Sequence, residues 1–302
     1  MSQEWADKTA QQILSRRLIG TGVCLVLGAA DTGKTSLAAA LARHAVSSRT
    51  VGIVDADIGQ SHLGPPTTVG WALVDRPEVD LSRLVVSGIS FVGDVTPVGH
   101  LLQLTAAITQ CVQRACEVAE LIIIDTPGFV FGPAARALWW TVQGMLRPRL
   151  ILAVQRDLAP RKESELESRR SGGLGDIVAG LKSFQTQIEQ IDCPPEIPIK
   201  SPQDRRSFRQ SQFNRYFQHS RVYSVSLDEL AVQASPNPNP GPFVGRLAGL
   251  RDAQGADIAV GLITAWQAEM NTVAVRAPQI DMQQVRCLVI GDVSVEIAEG
   301  TT

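Results

Sequence analysis

The octapeptide Gly28-Ala29-Ala30-Asp31-Thr32-Gly33-Lys34-Thr35 satisfies G-x-x-x-x-G-K-[ST] at every fixed position. It follows the apolar run Val23-Cys24-Leu25-Val26-Leu27 and precedes an alanine-rich stretch, so a buried strand leads into a tight loop from which a helix starts. Glycines let such a loop turn its amides inward, and a helix N-terminus adds partial positive charge at the same point. Together these make a receptacle for phosphate. The pattern predicts nucleoside-triphosphate contacts from Gly28, Ala29, Ala30, Asp31, Thr32, Gly33, Lys34, Thr35 and Ser36, with Lys34 on the β- and γ-phosphates and the Thr35 hydroxyl on Mg²⁺. A chance glycine turn is the plainer explanation, and the register of strand, motif and helix argues against it.

A second constellation is Val54-Asp55-Ala56-Asp57-Ile58-Gly59-Gln60. Carboxylates at i and i+2 past a strand end point the same way, toward a nucleotide bound at the carboxyl edge of a sheet. One carboxylate near a metal ion and one near an attacking group is what phosphoryl transfer requires. A solvated turn would have the same composition. Ile122-Ile123-Ile124-Asp125-Thr126-Pro127-Gly128 is another acidic strand end, open to two readings: a metal-side aspartate, or a glycine turn that sets Phe129 over a substrate. Finally, Arg205 and Arg209 lie four apart on one helical face, with Phe213, Tyr216 and Phe217 available to bury another. Such arginines can stabilise a transferring phosphoryl group, although on composition alone a solvated helix face explains them better.

The elements that must position these residues follow from periodicity. Apolar runs at Val23–Leu27, Val51–Val54, Leu121–Ile124 and Leu150–Val154 alternate with helical segments at Lys34–Val46, Val98–Ala119 and Ala134–Leu146. That order predicts an α/β fold with a mainly parallel sheet covered by helices on both faces. Residues 4 to 19 predict a leading helix, and Gln155–Pro202, rich in mixed charges, reads as an exposed excursion or a lid. The alternating prolines of Ser235–Pro242 predict a linker, and the short apolar runs beyond it a small β module.

Composition narrows the classes. A net charge of −2 provides no global basic field for a polyanion, which leaves only a local arginine cluster to hold phosphates. Five irregularly spaced cysteines exclude a zinc finger or a disulfide framework. No signal peptide and no run long enough to span a membrane is present, so a cytoplasmic protein without a membrane partner is expected, with a monomer as the default.

Taken in order, the Gly-Lys-Thr loop, Asp55-x-Asp57-x-Gly59-Gln60, Phe91-Val92-Gly93-Asp94-Val95-Thr96-Pro97, Asp125-Thr126-Pro127-Gly128-Phe129 and Arg205–Arg209 ahead of Tyr216-Phe217 resemble the polynucleotide 5′-hydroxyl kinases, P-loop enzymes related to the pre-mRNA cleavage-complex subunit and the pre-rRNA processing kinase. The tail, with Gly245–Leu250, Ala259–Ile263 and Val289–Gly291, is similar to that family's C-terminal β module. The resemblance implies transfer of the γ-phosphate of ATP to the 5′-hydroxyl of RNA or DNA. It implies Asp57 as general base, Lys34, Arg205 and Arg209 as catalytic cations, Thr35 at Mg²⁺, and Asp55 either at Mg²⁺ or as a group supporting the residues that are. It also implies substrate contacts at Gln60, Thr126, Gly128 and Phe129, where the family's Thr-x-Gly-Trp clasp has tryptophan in place of phenylalanine. The implied domains are a P-loop kinase domain over 1–234 with a lid at 155–217, a linker at 235–242 and a β module at 243–302. A short form without the N-terminal β domain of the larger eukaryotic members is expected, so their partner-binding roles do not carry over.

Two other readings remain at this stage. Asp125-Thr126-Pro127-Gly128 also occurs in nucleotide-dependent switches, GTPases or ATPases, although no Asn-Lys-x-Asp segment follows a late strand to recognise guanine. A degenerate kinase acting as a scaffold is the other, and intact Lys34, Thr35, Asp55 and Asp57 argue against it. Nothing in the sequence separates RNA from DNA, or firmly excludes GTP as donor.

Overall fold

In the computed structural model, which describes residues 2–77, 80–156, 173–234, 243–267 and 269–297, the first apolar run becomes strand β1 (Gly22–Gly28), buried on both faces. It lies between β5 (Leu121–Asp125) and β6 (Leu150–Arg156), and β2 (Val51–Asp55) pairs with β5 on the far side, all in parallel. These strands are continuous in Val, Ile and Leu because helices cover both faces. On one face α1 (Ser2–Ser15) and α2 (Lys34–Ala45) pack over Cys24, Val26, Ile53, Leu121 and Ile123. On the other, α3 (Leu101–Cys116), α4 (Gly132–Leu146) and α5 (Leu174–Leu181) cover Leu25, Val54, Ile122, Ile124 and Ile151.

Strand alternation continues to the carboxyl edge, so Asp55 and Asp125, which pair directly in the β2–β5 ladder, follow Ile53 and Ile123 onto the α2 side. The parallel strands therefore bring the phosphate loop and both acidic strand ends to one edge, where α/β folds bind ligands.

Three further strands of the P-loop sheet lie outside the four apolar runs. β3 (Thr68–Val74) and β4 (Gly88–Phe91) extend the sheet as an antiparallel meander beside β2. Within Gln155–Pro202, residues 157–172 lie outside the described residues. The rest forms α5 and the edge strand β7 (Gln187–Cys193), parallel to β6, where the charge mixture suggested an exposed excursion or a lid. β7 is half-exposed, which explains why its polar sequence hides a strand.

The β module comprises β10 (Arg246–Arg251), β11 (Asp257–Gln267), β12 (Thr272–Ala277) and β13 (Cys287–Ser294). β8 (Arg221–Ser226) and β9 (Ala231–Ala234), placed in the first domain from sequence, pair with β12 and β13 respectively, so the module begins before the proline-rich segment. That segment, 235–242, lies outside the described residues.

The module meets the P-loop sheet along β4. The ladder contact is a single bridge from Asp257 to Ile89, reinforced by the Asp257 carboxylate, which accepts from Phe91 N (2.7 Å) and Arg251 Nε (2.9 Å). Nearby, Asp292 N donates to Gly93 O, and a Cβ on Gly291 would sit 2.6 Å from Gly93 O, so only glycine permits this approach. His100 Nε2 lies 3.0 Å from Asp292 Oδ2, with Arg246 and Asp94 beside it. These charges tie the two halves together.

Helix α6 (Pro202–Tyr216) spans the joint. Its start is fixed by a capping box between Ser201 and Asp204, with Pro202 at the first turn. At its other end Phe213 and Phe217 are buried with Phe91, Leu247, Val260 and Leu262, and the Tyr216 hydroxyl accepts from Val260 N (2.9 Å). Each buried phenylalanine contributes about 1.5–3 kcal/mol. The arginines of its first turns are thus carried by a rod clamped to the module.

Candidate active site

The phosphate loop leaves β1 at Gly28, where a Cβ would lie 2.4 Å from Val154 O, and enters α2 at Gly33, whose φ of 83° is left-handed. Gly33 also lies under Trp5 and Ile197, which would clash with any side chain there. Thr32 Oγ1 donates to Ala29 O (3.0 Å) and stiffens the turn. Lys34 folds back so that Nζ donates to Ala29 O (2.7 Å). Burial lowers the pKa of Lys34 and Arg205 adds to that, while Asp125, Asp57 and Asp31 pull the other way.

A cavity of about 240 Å³ opens over this loop, lined by Asp31 to Ser36 together with Asp57, Gln60, Lys200 and Arg205. A second cavity of about 260 Å³ adjoins it, sharing Ala30, Asp57, Gln60 and Arg205, and reaching Thr96, Pro97, Gly128, Phe129 and Arg209. The site is two chambers meeting at Asp57.

The two aspartates of the Asp-x-Asp pair do different work. Asp57 Oδ1 accepts from Gly59 N (3.1 Å) and Gln60 N (3.0 Å), which leaves Oδ2 for the chambers. Asp55 lines neither. Its Oδ1 accepts from Asp57 N (3.0 Å), and its Oδ2 from His62 N (2.6 Å) and Leu63 N (3.1 Å). Of the two roles expected for Asp55, contact with Mg²⁺ does not fit this geometry and the supporting one does: its carboxylate is consumed in folding the loop that carries Asp57.

Asp125 is the carboxylate left unspent. Among the described residues neither of its buried oxygens has a hydrogen-bond partner, and the Thr35 side chain lies near enough to lower its pKa. Burial, followed by repulsion from Asp55, pushes the Asp125 carboxyl up to about 7. A hydroxyl beside two orphaned carboxylate oxygens is a hard-oxygen donor set of the kind Mg²⁺ takes, so these residues fit that ion.

Of the expected substrate contacts, Phe129 and Gly128 line the second chamber, whereas Thr126 is fully buried and donates to Val26 O (2.7 Å), tying β5 to β1. Its hydroxyl is therefore a brace and not a substrate contact. A Cβ on Gly128 would meet Ala30 N at 2.5 Å, so this turn rests directly on the phosphate loop. Gln60 Nε2 donates to Gly59 O (2.7 Å) and Arg205 O (3.2 Å), linking the aspartate loop to α6, while its Oε1 has no partner among the described residues.

The arginines separate as well. Arg205 borders both chambers and pairs with Asp31 of the phosphate loop. Arg209 borders only the second. Burial and its neighbours Arg206 and Arg205 lower its pKa.

Several contributors escaped the sequence reading. His62 lines the first chamber and stacks obliquely on Phe208 of α6, 5.2 Å between ring centres. Arg156 donates to Asp31 O (2.6 Å) and Ile197 O (2.8 Å), fastening the loop after β7 to the phosphate loop. Trp139, fully buried in α4, donates its indole N–H to Phe129 O (2.7 Å). None belongs to a motif, and only the fold brings them near.

A family model described as mRNA cleavage and polyadenylation factor CLP1 P-loop matches residues 28–219, well over half the chain. This protein belongs to that CLP1 P-loop family. The match runs from the first glycine of the phosphate loop to the end of α6, the span that builds both chambers. Among curated relatives, a polyribonucleotide 5′-hydroxyl-kinase of Pyrococcus horikoshii is 28% identical over 69% of this chain and 53% of its own length. The corresponding protein of Pyrococcus furiosus is 30% identical over 69% of this chain and 54% of its own. The chain thus spans about half the length of the curated relatives it matches. The CLP1 P-loop fold extends further: Clp1p in the solved Clp1p–Pcf11p complex superposes with a TM-score of 0.65 at 13% identity, covering 95% of this chain and 77% of that one, so the architecture is shared through the β module. No helix among the described residues is long and apolar enough to cross a membrane.

Proposed function

We propose that this member of the CLP1 P-loop family is a kinase that transfers the γ-phosphate of ATP to the 5′-hydroxyl of RNA or DNA. The observation that carries the reading is the position of Asp57, whose side chain borders the phosphate-loop chamber and the Phe129 chamber at once. A general base for alcohol phosphorylation has to stand between donor and acceptor, within reach of the alcohol's proton. The names of the Pyrococcus relatives support the same activity.

In this mechanism the triphosphate lies on the phosphate-loop amides, and Lys34 exchanges Ala29 O for the β- and γ-phosphates. The terminal base of the acceptor rests against Phe129, which offers a face for stacking. Asp57 Oδ2 accepts the proton of the 5′-hydroxyl as its oxygen bonds to the γ-phosphorus and the bond to the β-phosphate oxygen breaks, releasing ADP. Arg205, at the boundary of the chambers, exchanges Asp31 for the transferring phosphoryl group, and Arg209 faces the acceptor side. Thr35 and Asp125 would hold Mg²⁺, which supplies charge neutralisation on the triphosphate when bound. A site whose groups are carried on strand ends and a clamped helix suits a reaction that rests on positioning and electrostatics.

The test is transfer of label from γ-labelled ATP to a short 5′-hydroxyl oligonucleotide. Labelled oligonucleotide is expected with the wild-type protein and should fall by at least about a hundredfold in Asp57→Asn and Lys34→Ala. Phosphate release without labelled oligonucleotide would replace this reading with a nucleotide-hydrolysing switch.

A further inference from the structure

The Phe129 chamber does not end at its own wall. A larger groove of about 620 Å³ continues from it through Val95 and Arg209, which border both spaces. One side of the groove is α6, presenting Arg206, Arg209 and Gln210, and the other is the β module, presenting the Val244–Gly245 turn and the end of β13 with Glu296. Buried Phe213 lines it as well, and Gln210 Nε2 donates to Glu296 O (2.9 Å) where the two sides meet.

The charges in this groove are unequal. Among the described residues the Arg206 and Arg209 side chains make no ion pair and no hydrogen bond, whereas the Arg205 side chain is bound to Asp31. Against these two free guanidiniums the groove carries one carboxylate, Glu296. Between the charges lie apolar surfaces, including Val95 and half-exposed Val244. Alternating cationic and apolar contacts suit a chain with phosphates on one side and bases or sugars on the other.

The geometry points to this groove as the seat of the second and following nucleotides of a single-stranded acceptor, with Arg206 holding a backbone phosphate. The inference rests on the kinase reading, because a 5′-hydroxyl at Asp57 forces the rest of its strand out of the Phe129 chamber. The phosphate loop closes that chamber on the donor side, and the groove opens from its other end. It follows that the β module takes part in substrate binding: the groove exists only because Phe213 and Phe217 dock α6 against it. A contact of this kind reads phosphates and leaves sequence unread.

The experiment compares a 5′-hydroxyl dinucleotide with a hexanucleotide of the same first two residues. For the wild-type protein kcat/KM should rise by about tenfold or more with length, mainly through KM, as added phosphates find cations. In Arg206→Glu, and separately in Val244→Trp, which fills the groove from the module side, that ratio should approach one. Circular dichroism and melting temperature establish that each variant is folded. In Arg206→Ala the slope of log affinity against log salt for the hexanucleotide should shrink by about 0.7, the value for one phosphate contact on a single strand. A wild-type ratio near one, or a ratio that survives both substitutions, overturns the proposal. Should no oligonucleotide be phosphorylated at all, the kinase reading fails on its own. Fluorescence anisotropy of a labelled hexanucleotide then still decides the groove: binding lost in Arg206→Glu sustains it, and either absent binding or preferential binding of a poly-glutamate peptide sinks it.

Discussion

Replacing Asp125 by asparagine should make the protein more stable in the absence of nucleotide and divalent cation, and the gain should grow with pH. Asp125 is buried with both oxygens unpartnered, next to Asp55 in the ladder. Burial and that neighbour lift its carboxyl from 3.8 to about 7. A folded-state pKa above the unfolded one means stability that is full below the unfolded value and is lost as pH rises through the folded one. At about 1.4 kcal/mol per tenfold change in proton affinity, the ionised carboxylate costs up to ~4 kcal/mol. Part of this is repulsion shared with Asp55, so a single substitution should recover about 2 kcal/mol at pH 8. For a domain of this size that is a rise of ~4–8 °C in melting temperature, against little change near pH 4. Thermal melts across pH in a chelator provide the measurement. Adding ATP with Mg²⁺ should then raise the melting point of the wild-type protein beyond that with ATP alone, and should not do so for the variant. An asparagine protein that melts at or below wild type at pH 8, or gains as much at pH 4, would refute the claim that this carboxylate is held uncompensated for a cation.

The two lid arginines should separate kinetically. Arg205→Ala is expected to lower kcat by at least about a hundredfold at saturating substrates, whereas Arg209→Ala should act chiefly on KM for the oligonucleotide; equal kcat losses would return both to the phosphoryl group. Trp139→Phe removes the hydrogen bond to the half-buried Phe129 O, at a cost of about 1 kcal/mol. Its expected signature is a several-fold higher KM for the oligonucleotide with KM for ATP unchanged, and matched rises in both would mark a general loss of structure.

The sheet core was legible because its strands are buried on both faces and its helices are punctuated by the phosphate loop. Val51–Val54 and Leu121–Ile124 could hardly be read otherwise. What the sequence hid is of two kinds. β7 and β8 are largely polar and half-exposed and the four-residue β9 is fully exposed, so their pairing is decided by neighbours distant in sequence. The other kind concerns direction. Thr126 and Phe129 stand in one motif, yet one hydroxyl turns into the β1–β5 seam while the ring three residues later faces the chamber. Spacing brings such residues to an edge; it does not say which atoms are already spent.

That distinction governs the Asp55–Asp57 pair. Three backbone amides converge on the oxygens of Asp55, and the Ser61 hydroxyl stands 3.5 Å from Oδ2. Every one of these neighbours is a donor, so the position calls for a side chain that only accepts; asparagine would turn an NH₂ group toward an N–H. Burial raises the Asp55 carboxyl while the amides hold it down, and their geometry fixes the loop from Asp57 to Leu63 as a unit. Asp57, by contrast, is anchored through one oxygen only. An acidic residue at the strand end shapes the turn, and the acidic residue two positions later, carried by that turn, is delivered to the boundary between the chambers with an oxygen to spare. The spacing of the motif therefore separates a supporting carboxylate from one with an oxygen to spare, and the neighbouring strand adds Asp125, whose oxygens have no hydrogen-bond partner among the described residues.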